Sequence, residues 1–198
     1  MVRKYEQKKR AENQEETRRR ITEATVELHE LVGPAHTTIS AIAEKAGVQR
    51  LTVYRHFPDE RALFSACTGH FLQMNPPPDP GSWADVSDPE LRLRRGLGEV
   101  YAYYRRVEPM LSASIRDAPL KPVLVEVLAP FFEHWERMRG VLAVGWGVGG
   151  GRRELLHAAI GHALDFVAWR SLVRQQGLTD EQAVELMVCM VRCGKGSP

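Results

Sequence analysis

The segment from Thr37 to Phe64 constrains the fold of this chain more than any other. Its sequence, TTISAIAEKAGVQRLTVYRHFPDERALF, predicts two short helices joined at Gly47 and a third helix that opens after a proline. Thr38 can cap the first helix, because its hydroxyl can accept a hydrogen bond from a free backbone N–H. Gly47 can end that helix by entering the left-handed region. The pattern predicts a helix-turn-helix, whose second helix would lie in a DNA major groove.

The same residues carry a family resemblance. Regulators of the tetracycline-repressor-like (TetR) family commonly read T-[TV]-x-x-I-A-x-x-A-G-V-x-x-x-T-x-Y-x-H-F, followed by a short charged turn and A-L. This chain supplies in register Thr38, Ile42, Ala43, Ala46, Gly47, Val48, Thr52, Tyr54, His56, Phe57, Ala62 and Leu63. It departs at Glu60, where the family usually places a lysine, and at Gln49, which replaces a small capping residue. The chain therefore resembles TetR regulators, and the resemblance implies an all-α dimer that binds DNA.

The resemblance also implies which residues contact double-stranded operator DNA. They lie at the start of the first helix, along the second helix and just after it: Thr38, Ser40, Gln49, Arg50, Leu51, Thr52, Tyr54, His56 and Arg61. We expect the two threonines, Tyr54 and His56 to position the phosphate backbone. Ser40 and the first residues of the second helix could reach base edges, which carry the sequence information.

The N-terminal segment is strongly basic although the chain as a whole carries a net charge of only +2. Residues 1–20 hold eight Lys and Arg against four Glu. Such an arm could add phosphate contacts whose strength depends on salt. It could equally be a solvated, flexible tail, and the sequence leaves both readings open.

Helical periodicity and proline content predict the domain boundaries, and strand signals are nearly absent. We expect a flexible basic arm at 1–16, a helix-turn-helix domain of three or four helices at 17–74 and a proline-rich linker at 75–87. A helical ligand-binding and dimerisation domain should follow at 88–193, with a flexible tail at 194–198. Within the second domain, the glycine-rich stretch GWGVGGG follows a helix rather than a strand, which predicts a flexible connector rather than a nucleotide-binding turn.

Composition and residue spacing argue against enzymes and membrane proteins. No run approaches the roughly 18 apolar residues of a membrane span, and three cysteines are too few and too odd in number for a disulfide framework, which fits the cytoplasm. The seven histidines are scattered, and no catalytic constellation appears. Cys189 and Cys193 share a helix face, but without a third ligand they suit packing better than a metal. We therefore expect no metal and no cofactor.

Large side chains spread over the second domain are candidates for lining an effector pocket. Ligand pockets are mostly apolar, with a few polar groups that orient the ligand. The candidates are Tyr101, Tyr104, Met110, Phe131, Trp135, His162, Phe166 and Trp169. The alternative is that these aromatic residues fill the core.

The last two predicted helices are apolar on more than one face, so they need partners on two sides. In proteins that this chain resembles, the corresponding helices of two subunits form a four-helix dimer interface. The candidate interface residues are Leu156, Ile160, Ala163, Val167, Leu186, Met187 and Met190. Burial of these residues inside one subunit remains the alternative.

Together these features predict a ligand-responsive transcriptional regulator. We expect a repressor that a small hydrophobic or aromatic effector releases from a near-palindromic operator. One alternative is a ligand-independent DNA-binding regulator or activator. A more remote alternative is a helical enzyme or ligand carrier, which would need a cluster of catalytic groups.

Overall fold

The computed structural model describes the backbone of residues 2–195 and the side chains of residues 5–195. Regular structure in this range is helical, which confirms the all-α prediction. The ten α-helices, in chain order, are α1 Val2–Leu31, α2 Ile39–Ala46, α3 Arg50–His56, α4 Glu60–Met74, α5 Pro89–Asp117, α6 Pro122–Val127, α7 Ala129–Leu142, α8 Gly151–Ala163, α9 Phe166–Arg170 and α10 Asp180–Lys195. Short 3-10 turns occupy Pro80–Trp83 and Ala118–Leu120, and a π-helical turn, Ser171–Gln175, extends α9.

The N-terminal segment is helical, whereas we expected a flexible arm at 1–16. Helix α1 begins at Val2, because residues 2–16 are mostly Lys, Arg, Glu, Gln and Ala, which are good helix formers. Ion pairs one turn apart also support it, such as Lys8 with Glu12 at 3.8 Å. The side chains of Arg3 and Lys4, two of the predicted basic residues, lie outside the described residues.

The helices divide into two compact units. The first unit contains the residues up to Pro76 together with Pro109–Ala129, and the second contains Pro77–Glu108 together with the residues from Pro130 onward. Residues 109–129 thus group with the helix-turn-helix, although the sequence pattern placed them in the later domain. Helix α10 runs to Lys195, so it includes the start of the tail predicted at 194–198, and the rest of that tail lies outside the described residues.

The core of the first unit joins α1 to the helix-turn-helix. Its buried residues are Ile21, Ala24, Ile42, Ala43, Ala46, Val53, Phe57 and Leu63. The small alanines at 43 and 46 let α2 approach its neighbours closely, since interior side chains leave few voids. This core holds α3 by one face and leaves its other face to solvent.

Residues 109–129 join the first unit through charged and polar contacts. The buried carboxylate of Asp117 accepts a hydrogen bond from the backbone N–H of Ala35 at 2.9 Å. The Arg116 guanidinium pairs with the same carboxylate at 2.7 Å, and this hydrogen bond holds the pKa of Asp117 below its ordinary value. Lys121 pairs with Glu60 at 2.6 Å. The contacts of Asp117 with Ala35 and of Lys121 with Glu60 link residues that are far apart in the chain, which periodicity alone could not predict.

Most of the segment predicted as a linker, 75–87, belongs to the second unit, which begins at Pro77. Trp83 is fully buried, and its indole N–H donates to the Glu99 carboxylate at 2.8 Å. Prolines do interrupt the α-helical pattern here, as expected. The segment nevertheless contributes to the core, because a buried tryptophan covers a large apolar area.

Candidate nucleic-acid interface

The turn between α2 and α3 has the geometry that the sequence predicts. The Thr38 hydroxyl caps α2 by accepting from the Ala41 N–H at 3.1 Å. Gly47 adopts φ 64° and ψ 41°, and its N–H donates to the Glu44 carbonyl at 3.1 Å. The next N–H, of Val48, donates to the Ala43 carbonyl at 2.9 Å. These bonds satisfy the last carbonyls of α2, and they confirm the predicted cap and helix stop.

Helix α3 presents one polar, exposed face. Val53 and Phe57 anchor its inner side, with at most 2% of either residue exposed. Arg50, Leu51 and Tyr54 lie on the exposed side, where Leu51 is 65% exposed. An exposed leucine of this kind suits a contact surface, although a single one is common on any protein.

The remaining predicted contact residues lie around this face. Thr52 and His56 are half-buried, Thr38, Ser40 and Gln49 are exposed, and Gln49 makes no side-chain cap to α3. Arg61 is exposed and pairs with Glu126 at 3.0 Å. Its guanidinium therefore already has a carboxylate partner, which weakens its case as a phosphate contact.

Two arginines of α1 contact the helix-turn-helix, and the sequence patterns did not single them out for this role. Arg18 donates to the His56 carbonyl at 2.8 Å at the C-terminal end of α3. Its guanidinium also lies over the Phe57 ring, 4.2 Å from the ring centre. Arg20 donates to the carbonyls of Ala46 and Gly47 at the turn. The basic run at 18–20 was the available signal, but it indicated charge rather than contacts made far away in the chain.

Helices α1 and α3 enclose a surface groove of about 910 Å³. Four cations line it, Lys9, Arg10, Arg18 and Arg55, along with polar side chains such as Asn13, Gln14, Thr17, Thr52 and His56. Two carboxylates, of Glu6 and Glu15, also line the groove. Four positive charges against two negative ones leave the groove net positive.

Other acidic residues of α1 are already neutralised away from this groove. Arg19 pairs with Glu16 at 2.7 Å and with Glu23 at 2.6 Å. The hydrogen bond from Arg19 lowers the pKa of the Glu16 carboxyl, so this acid stays ionised and paired. In contrast, Lys9, Arg10 and Arg55 have no carboxylate partner among the described residues. Their charges remain available to an anion.

A buried polar pair lies beneath the helix-turn-helix. The His29 ring contacts the Cys67 sulfur through Nδ1 at 3.5 Å and packs on Phe64, with ring centres 4.9 Å apart. Burial lowers the pKa of His29 to about 4 and raises the pKa of Cys67 to about 12. His29 is therefore neutral in the folded protein at pH 7, and Cys67 is an unreactive thiol in the core.

The predicted ligand residues form a packed aromatic cluster in the second unit, with two exceptions. The Tyr101 hydroxyl donates to the Ala163 carbonyl at 2.9 Å, and the Trp135 indole donates to the Tyr104 hydroxyl at 2.8 Å. Phe131 stacks on Trp135 with ring centres 4.0 Å apart, and Phe166 packs on Trp169 with ring centres 5.6 Å apart. The exceptions are His162, which is exposed, and Met110, which is buried in the first unit.

The predicted dimer residues separate into buried and exposed groups. Leu156, Ile160, Ala163 and Met187 are at most 4% exposed within a single chain. They are therefore covered within one chain, in which α8 and α10 contact each other, so the prediction that they face another subunit needs correction. Val167 and Leu186 are 56% and 48% exposed, and Met190 is half-buried. Helical periodicity identified both apolar stripes but could not tell which of them the chain itself covers.

The described residues contain no cluster of three or more His, Cys, Asp or Glu side chains suited to a metal ion. Within the same range, no helix combines the length and apolar character needed to cross a membrane.

Comparison with known proteins places the helix-turn-helix in a recognised family. Residues 21–67 match the family described as bacterial regulatory proteins, tetR family. Two relatives from Pseudomonas putida are similar over 85 residues: the HTH-type transcriptional regulator SrpR at 38% identity, and TtgW, an uncharacterized HTH-type transcriptional regulator, at 36%. Each match covers 40% of this chain. The matches span 40% of SrpR and 63% of TtgW, which is less than two thirds of either relative.

Solved structures share the fold over most of the chain. A TetR-like transcriptional regulator from Rhodococcus sp. RHA1 aligns with a TM-score of 0.63 at 20% identity, covering 92% of this chain and 97% of that one. A TetR transcription regulator from Haloarcula marismortui ATCC 43049 aligns with a TM-score of 0.57 at 18% identity, covering 90% and 95%. At such identities the likeness concerns the fold.

Proposed function

Because the chain belongs to the TetR family of bacterial regulatory proteins, we propose that it is a dimeric transcriptional repressor. Two copies of α3 would enter successive major grooves of a near-palindromic operator. A small aromatic or hydrophobic effector, bound in the helical second unit, would favour a conformation that no longer fits the operator. Its role is then to regulate transcription rather than to catalyse a reaction.

The exposed face of α3 is the observation that carries this proposal. Arg50 lies in the first turn of α3, and the first residues of a recognition helix are those that reach base edges. Its guanidinium has no ion-pair partner among the described residues, so it is available to the two acceptors of a guanine. Tyr54 lies one turn further along, with 47% of its surface exposed, and its hydroxyl can donate to a phosphate.

The groove between α1 and α3 supports a second set of DNA contacts. Lys9, Arg10 and Arg55 line it without carboxylate partners, and Asn13 and Gln14 add amide donors. Phosphate oxygens accept such bonds, and the chain of phosphates next to a bound α3 would pass close to this groove. We infer that the helical start of α1 contacts the DNA backbone, which is the first of the two readings of the basic segment.

The dimer would form through residues that the chain itself leaves uncovered. Leu155, Val167 and Leu186 are each 48–56% exposed in the second unit. Large apolar side chains that stay exposed are candidates for a surface that binds another protein. An isologous contact would bury the same residues on both subunits, and it would set the spacing of the two α3 helices.

The decisive experiment selects DNA fragments from the region upstream of the gene and measures their affinity for purified protein. We expect Arg50→Ala to weaken binding by about 1–3 kcal/mol at one base pair and to relax the preference for that base. Arg10→Ala should weaken all sequences alike and reduce the slope of affinity against salt by about one.

Arg19→Ala is the matched control, because Arg19 lies on the same helix but is held by two carboxylates. It should retain the wild-type salt slope. Equal affinity of wild type and Arg50→Ala for every selected site, with native circular dichroism, would rule out α3 as the reading helix. If affinity depends on salt with the same slope in Arg10→Ala and Arg19→Ala, the groove between α1 and α3 does not contact DNA.

A further inference from the structure

The loop between α7 and α8 borders an open cavity that the sequence patterns did not predict. Its volume is about 410 Å³, within the range of sites that bind small molecules. The apolar side chains of Val148 and Leu156 line it, together with Arg153, His157 and the backbone of Gly147. Trp146 also lines it, whereas none of the eight residues named above as candidates for the effector pocket does. The glycine-rich connector is thus one wall of a cavity.

A buried arginine lies directly against this wall. Arg92 is 4% exposed and donates to the Val86 carbonyl at 2.6 Å and to the Val144 carbonyl. Its guanidinium comes so close to Gly145 that a Cβ there would lie 3.4 Å from Nη2. Val144 and Gly145 both line the cavity. The guanidinium therefore lies behind the cavity wall, separated from the space by one peptide segment.

The charge of Arg92 is not neutralised within the described part of the chain. Two neutral carbonyls bind its terminal nitrogens, no carboxylate pairs with it, and its buried Nε has no hydrogen-bond partner. Removing a cation from water without a counter-charge is costly, and nearby negative charge compensates for that cost. A site beside this guanidinium therefore favours an anion.

A second cation lies in the cavity itself. Arg153 lines it, is exposed, and has no carboxylate partner among the described residues. No Asp or Glu lines the cavity, and His157 adds a ring nitrogen that can donate a hydrogen bond. The positive charges of Arg92 and Arg153 thus act on the cavity with no acidic residue on its walls.

From this arrangement we propose that the cavity binds a small organic anion, a carboxylate attached to an apolar or aromatic body. Arg153 would bind the carboxylate by paired N–H donors, the geometry that a guanidinium offers. Val148 and Leu156 would contact the apolar body, which a simple inorganic anion lacks. The inference deepens the proposed function, on which it rests, by giving the charge class of the effector.

The test compares benzoate with benzamide, which has nearly the same shape but no charge. Binding to the full chain is measured by calorimetry in the absence of DNA, so that the outcome does not depend on operator recognition. We expect benzoate to bind at least about tenfold more tightly than benzamide, equivalent to one charge-assisted contact. Arg153→Gln should remove most of this preference.

Arg152→Gln is the matched control, because Arg152 is also exposed on α8 but does not line the cavity. It should bind benzoate like the wild type. Equal binding of benzoate and benzamide to the wild type, or equal losses in Arg152→Gln and Arg153→Gln, would overturn the proposal. If benzoate binds as expected but leaves operator affinity unchanged, the anion site stands and its role as the effector site in the proposed function fails.

Discussion

Replacement of Arg18 by alanine tests whether α1 holds the recognition helix in position. Arg18 donates a 2.8 Å hydrogen bond to the His56 carbonyl and lies over the Phe57 ring. A hydrogen bond from a charged donor contributes about 1.5–3 kcal/mol, and a partly exposed cation–π contact adds about 0.5–1 kcal/mol. Ordering a long side chain offsets these by up to about 2 kcal/mol.

The net expectation is that Arg18→Ala lowers the free energy of unfolding by about 2 kcal/mol, as for loss of a hydrogen bond to a charged group. Urea unfolding followed by circular dichroism measures this change. Arg19→Ala removes the same charge from the next position, where the side chain bonds only to carboxylates of its own helix. Its unfolding midpoint should stay close to that of the wild type.

The two variants should also differ in DNA affinity. Both lose one positive charge, but Arg18 lines the groove between α1 and α3, whereas two carboxylates already offset the charge of Arg19. Only Arg18→Ala frees the C-terminal end of α3, and we expect it to bind operator more weakly than Arg19→Ala. Equal unfolding free energies together with equal affinities would refute the view that Arg18 positions α3.

Three further predictions concern the turn, the buried histidine and the dimer. Gly47→Ala should destabilise the protein by about 1–2 kcal/mol in urea unfolding, because a left-handed φ strains any Cβ and the new methyl would approach Arg20 Nη2 to 2.8 Å; an unchanged midpoint would contradict this. Burial lowers the pKa of His29 from 6.5 to about 4, so the unfolded state binds more protons between these values, and stability present above pH 6.5 should fall by about 3 kcal/mol as the pH drops to 4. A His29→Asn variant should lose less unfolding free energy over that pH range. Parallel pH dependences of the unfolding free energies of variant and wild type would be evidence against this role of His29. Leu186→Glu should yield folded monomers in sedimentation experiments, whereas Ile160→Glu should unfold the chain, since Ile160 is fully buried within it; a Leu186→Glu variant that stays dimeric would exclude that face.

The sequence by itself determined the local elements of the DNA-binding motif. Thr38 caps α2 and Gly47 ends it because each acts on backbone groups within a few residues. The inward positions of Val53 and Phe57 follow from helical periodicity over a single short helix. Such short-range rules need no knowledge of the rest of the chain.

Only the tertiary structure decided which partner covers each surface. Arg18 and His56 are 38 positions apart, and no local pattern links them. The apolar stripes of α8 were visible in the sequence, but the structure shows that the chain covers Ile160 and leaves Leu155 exposed. The cavity beside Arg92 arises in the same way, because the guanidinium meets a loop 52 positions away. Periodicity fixes the direction of a side chain relative to its own helix, whereas burial and charge compensation depend on segments brought together by folding.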